Sequence, residues 1–139
     1  MNHANLIDIN WIAVLVAAIA YFALGALWYS FLFQKKWVEY QNINVNDPEI
    51  KQGVAGVMVT SFVLTVLITT GLAILIELMN ITNGLTGAKL GLLTGVCFSA
   101  TVISMTYLYT KKKWGLHFID GAYHVVGQII AGVILCLWR

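Results

Sequence analysis

Charge is what this chain has least of: Asp, Glu, Lys and Arg make up 10% of its 139 residues, where a soluble domain carries about 25%. That scarcity excludes an ordinary solvated surface. The two cysteines, Cys97 and Cys136, exclude a disulfide framework. Cys97 lies about 15 Å into the third apolar stretch, from a helical rise of about 1.5 Å per residue, whereas Cys136 lies near the last end of the fourth. A bridge between them is not expected if those ends share a membrane side. The only proline is Pro48, in Asp47-Pro48-Glu49, where Asp can cap, Pro fits the first helical position and Glu favours the positive end of the dipole. The second apolar helix is therefore expected to begin before Gly53. Phosphate-binding and dinucleotide fingerprints and a nucleophile elbow are missing too. The net charge of +2 does not indicate nucleic acid, because the six loop lysines sit beside apolar stretches, where membrane topology explains them.

Hydrophobic residues make up 60% of the chain and mean hydropathy is +0.82. Four stretches, residues 9–33, 54–79, 87–110 and 116–138, meet the requirement of about 20 predominantly apolar residues for crossing a bilayer. The connections are short and no soluble domain is left over. The sequence thus predicts an all-α membrane protein, one domain over residues 1–139, with four transmembrane helices in an antiparallel bundle. No Lys or Arg precedes the first stretch, and its apolar run is too long for a signal peptide, so it is expected to remain as a helix.

Lys35, Lys36 and Lys51 lie in the first connection and Lys111, Lys112 and Lys113 in the third, against only Lys89, Arg139 and the amino terminus on the other side. The positive-inside rule puts connections one and three in the cytoplasm and both termini outside, in a bacterial cytoplasmic membrane. Trp37 and Trp114 at one level, and Trp11 and Trp138 at the other, read as interfacial belts. Asn83-Gly84 is a turn signal, predicting that helices two and three form a tight antiparallel hairpin.

The fourth stretch carries His117, Asp120, His124 and Gln128 at spacings of three, four and four, which places all four on one helical face. Ionisable groups at that depth are costly and mark a polar seam or a solute path. Three readings compete: an Asp120–His124 hydrogen-bonded clasp that only orients helices, a proton relay or ion path, and a catalytic or metal site. Metal is the weaker functional option, since His117, Asp120 and His124 span two turns and no further His/Cys pair at ligand spacing supports them. Only His3 remains, outside. No metal and no cofactor is predicted.

Helix three has Gly87, Gly91, Gly95 and Ser99 at four-residue intervals, a face without side-chain bulk that lets another backbone approach. Helix two has Ser61, Thr65, Thr69 and Ala73, whose hydroxyls can bond to preceding carbonyls or across helices.

Three motifs, Ile9-Asn10-Trp11, Gly25-Ala26-Leu27-Trp28-Tyr29-Ser30 followed by Trp37, and Gly121-Ala122-Tyr123-His124, give the chain a resemblance to a bacterial and fungal membrane family called Domain of Unknown Function 1761. The resemblance runs from end to end. Phe31 departs from it by standing where proline is expected, which removes the reason to expect a helix break there. The resemblance implies a small four-helix membrane protein without an assigned activity, and makes Trp28, Tyr29, Tyr123 and His124 better candidates than Asp120 for a shared role.

The leading functional expectation is a small channel or proton-linked transporter using the helix-four stripe. So small a bundle encloses little space, so a path would form between subunits or between moving helices, and a homo-oligomer is expected. The first alternative is a membrane enzyme acting on a lipophilic molecule, with His124 as general acid or base and Asp120 orienting it. The second is a structural or accessory subunit. The partners expected are the lipid bilayer and a small solute or lipophilic ligand whose identity the sequence does not give.

Overall fold

The computed structural model describes residues 9–138, so His3 and Arg139 lie outside it. Its helices are α1 (Trp11–Leu27), α2 (Gln34–Gln41), α3 (Pro48–Gln52), α4 (Val54–Leu78), α5 (Gly84–Thr94), α6 (Thr101–Tyr109) and α7 (Trp114–Leu137), with π-helical turns at Trp28–Leu32 and Gly95–Ala100. No strand occurs among the described residues. Four helical spans are long and apolar enough to cross a membrane: span one, Trp11–Leu32; span two, Val54–Leu78; span three, Gly84–Tyr109; span four, Trp114–Leu137. The predicted all-α membrane fold is the one observed.

Local signals set the ends. The Asn10 side chain accepts from the N–H groups of Ile12 and Ala13 at 3.1 Å and its amide donates to the Trp138 carbonyl at 3.0 Å, so one residue caps span one and ties its start to the end of span four. Asp47 caps α3 through Glu49 N–H at 3.0 Å, with Pro48 in the first turn. Asn83 caps α5 through Thr86, starting span three earlier than residue 87.

The expected tight hairpin of helices two and three is not formed. Spans two and three share a short connection but hardly touch; each packs on span four instead, while span one lies against spans two and four. The cause is visible in side-chain bulk. Cβ atoms added at Gly87, Gly91 and Gly95 would run into the span-four backbone at Gly132, Gln128 and Val125, and that close approach fixes span three to span four. Span two bonds its hydroxyls to its own preceding carbonyls, Thr65 to Ser61 at 2.8 Å and Thr69 to Thr65 at 3.1 Å, leaving Thr69 and Ala73 to pack as small inward residues.

Residues 54–61 are exposed all round, whereas Thr65, Thr69, Leu72, Ala73 and Ile76 are buried. Span two therefore leans on the bundle with its second half and stands away with its first. At the other end of the molecule Ala13, Ala17, Ala18 and Tyr21 of span one are almost completely buried. The bundle is closed near the described chain ends and open between spans one and two toward connection one.

A helix break also occurs near Phe31 without a proline. The Trp28–Leu32 turn is π-helical, Phe33 N–H bonds the Trp28 carbonyl at 2.9 Å, and Phe33 leaves helical geometry at φ −126°, ψ 8°. The chain then turns into α2, which packs on the start of α7. Cys97 is exposed and Cys136 is buried, and neither forms a disulfide among the described residues.

Candidate functional site

The polar residues of span four do not act as one seam. They are met by groups on several neighbouring segments, with Tyr107 shared between Asp120 and His117. Asp120, 6% exposed, accepts from the Tyr29 hydroxyl of span one at 2.6 Å through Oδ1 and from the Tyr107 hydroxyl of span three through Oδ2. The carboxyl group thus joins three spans. Gln128 donates to Ser99 Oγ at 2.5 Å, a second polar tie between spans four and three. His117 stacks on Trp114 at 4.5 Å and meets the edge of Tyr107; its Nδ1 is buried without a hydrogen-bond partner among the described residues.

His124 differs from these. Its Nδ1 lies 2.7 Å from the Tyr21 hydroxyl, which also reaches the His124 carbonyl at 3.3 Å. Asp120 and His124 form no hydrogen bond with each other, so the clasp between them does not exist as predicted. Tyrosines replace it on both sides. Because a buried phenol needs a partner for its hydroxyl, Tyr21 inside an otherwise apolar span was the overlooked signal in the sequence. Tyr107 gives a fainter one, sitting among the aromatics at the end of span three.

Residues picked by the family resemblance fall on the same cluster as the stripe. Trp28 Nε1 donates to the Ile119 carbonyl at 3.1 Å, one residue before the Asp120 that Tyr29 holds. In a regular α-helix neighbours diverge by about 100°; the wider π turn lets Trp28 and Tyr29 both address span four. The Tyr123 ring packs edge-on against Tyr21 and Tyr29, at 5.5 and 5.3 Å. Gly25 makes room for it, since a Cβ there would lie 2.8 Å from the Tyr123 hydroxyl. Gly127 makes the corresponding room for the Tyr21 ring.

A cleft of about 380 Å³ opens between span one and the standing-away half of span two. Its walls are chiefly apolar, from Phe22, Ala26, Met58, Leu64 and Ile68, and its polar lining comes from Tyr29, Ser30, Ser61, Thr65, Tyr123 and His124. His124 Nδ1 is occupied by Tyr21, while Nε2 makes no hydrogen bond among the described residues. Asp120 does not line the cleft. Among the described residues no group of three His, Cys, Asp or Glu is close enough to share a metal ion. The arrangement can bind an apolar body against a wall that includes the His124 side chain.

No curated protein and no solved structure matches the chain. A family model does, over residues 12–136, which takes in Trp28, Tyr29, Asp120, Tyr123 and His124. The chain therefore belongs to the family described as protein of unknown function (DUF1761).

Proposed function

We propose that this protein binds a lipophilic molecule from the bilayer in the cleft between spans one and two, with His124 as the polar contact. The observation that carries the reading is that the cleft reaches His124 and stops short of Asp120. Its volume lies within the usual range of about 300–1,000 Å³ for small-molecule sites. An opening between two spans suits a ligand that arrives sideways through lipid. If that ligand is a substrate, His124 supplies or takes a proton at Nε2 and Tyr21, not Asp120, orients the ring. The cleft is built within one chain, so the reading needs no homo-oligomer. A channel or proton-linked transporter draws less support, because Asp120 and His124 are bonded to different tyrosines and the alanine-lined half around Tyr21 is tightly packed.

Photoactivatable lipophiles of varied head group test this. Wild-type protein should be labelled at cleft residues such as Met58 or Ile68. Ala26→Trp, which fills the cleft, should abolish that labelling. His124→Ala should weaken binding about five- to tenfold, the loss of roughly one hydrogen bond. Labelling spread evenly over lipid-facing residues in all three proteins would sink the proposal. Proton flux through wild-type proteoliposomes, removed by Asp120→Asn and His124→Gln, would move the assignment to transport.

We place this protein in a bacterial cytoplasmic membrane with connections one and three inside and both termini outside, on the lysine distribution. The Asn10–Trp138 bond supports the pairing of the two ends on one side. A single cysteine introduced at Asn46 or Lys112 should then be labelled only from the cytoplasm, and one at Asn83 only from outside. The reverse pattern in intact cells would invert the topology.

A further inference from the structure

We propose that connections one and three together form a binding surface for anionic phospholipid head groups. The two connections are far apart in sequence, yet α2 lays the first against the start of α7. Tyr40 of α2 packs over Gly115, where a Cβ would strike the ring. Gln41 accepts from Lys112 Nζ at 2.9 Å, and Lys113 Nζ sits 5.5 Å over the Tyr40 ring, a cation–π distance. Trp37 of α2 meets the Tyr29 ring at 5.5 Å.

This docking brings Lys35 and Lys36 of one connection to the same end of the bundle as Lys111, Lys112 and Lys113 of the other. None of the five forms an ion pair among the described residues, and all but the half-buried Lys112 are exposed. Glu39 is the acidic residue on α2, and Asp47, Glu49 and Lys51 follow in connection one, so the two connections together carry six lysines and three carboxylates, a net charge of +3. Membrane topology alone calls for lysines on this side but not for a folded contact that ties two of them down. Lys112 and Lys113 are held by Gln41 and Tyr40 at the level of Trp37 and Trp114, the depth at which interfacial aromatics sit. Juxtamembrane lysine clusters attract anionic lipid with an effect that accumulates per residue. The occupant is a bilayer lipid, not a soluble anion, because the surface caps the membrane ends of spans one and four.

The test uses the full-length protein in nanodiscs of phosphatidylcholine with increasing phosphatidylglycerol, reading local enrichment by fluorescence transfer from tryptophan to head-group-labelled lipid. Wild type should enrich phosphatidylglycerol over phosphatidylcholine about tenfold. Lys112→Gln with Lys113→Gln should remove most of that preference. Tyr40→Ala and Gly115→Leu retain every lysine but undock α2; the preference should fall in both, with thermal stability in pure phosphatidylcholine showing whether each remains folded. Equal enrichment of the two lipids in wild type would overturn the proposal. So would full preference in a folded Tyr40→Ala protein, which would reduce the effect to summed charge, or displacement of the lipid by millimolar inorganic phosphate, which would make it a soluble-anion site.

Discussion

Gly91→Leu should detach span three from span four and destabilise the protein by on the order of 3 kcal/mol, the upper end of overpacking costs. The reason is what the new side chain would strike. A Cβ at Gly91 falls on the Gln128 carbonyl and within 2.8 Å of the Ile129 Cα, and a backbone cannot rotate out of the way as a side chain can. Gly87 and Gly132 face each other in the same manner, each Cβ position meeting the other's carbonyl. Span three makes its main interhelical contacts with span four, so this face carries most of what holds it in place. Losing the contact would also pull Ser99 from Gln128 and Tyr107 from Asp120, so the damage reaches the polar cluster. Gly56→Leu is the control, since nothing lies within 4 Å of a Cβ there. Thermal unfolding in detergent should separate the two variants clearly; equal midpoints for Gly91→Leu and wild type would mean that the glycine face does not carry the span-three interface.

The spans were legible because crossing a bilayer demands a long apolar run, and residue type alone records it. The glycine face of span three was legible for a similar reason: absence of side-chain bulk at four-residue spacing has a simple geometric consequence. Helix pairing was not. Asn83-Gly84 specified a short connection, but which helices touch depends on where bulk is missing on both partners, and the Gly132 and Gln128 backbone opposite Gly87 and Gly91 could be matched only in three dimensions. The inward face of span four was readable from periodicity, whereas the partners of Asp120 and His124 lie on other helices. The π turn at Trp28–Leu32 leaves no mark in apolar periodicity, yet it aims Trp28 and Tyr29 at span four. The cleft was equally hidden, because the first turns of span two read as apolar as the half that packs.

Asp120→Leu should be the most damaging change at the polar cluster, and comparison with Asp120→Asn shows why. Leucine fills much of the same space but accepts nothing, leaving the Tyr29 and Tyr107 hydroxyls without their partner. Each unsatisfied buried group costs about 1–3 kcal/mol, so a loss of roughly 2–5 kcal/mol is expected, reduced to the extent that Tyr107 finds water or another acceptor. Asparagine keeps one carbonyl oxygen for one phenol and presents an NH₂ to the other. One hydrogen bond then has to reverse its direction, and the expected cost is about 1 kcal/mol. Tyr29→Phe and Tyr107→Phe should each cost about as much as Asp120→Asn, and neither should add its full effect to Asp120→Leu, because residues sharing one network are not additive. The cleft supplies the functional contrast. Since His124 lines it and Asp120 does not, a folded Asp120→Asn protein should keep its lipophile labelling while His124→Ala weakens it. Parallel unfolding and labelling of these two variants distinguishes a structural carboxyl from a binding imidazole, and loss of labelling in folded Asp120→Asn would place Asp120 in the site after all.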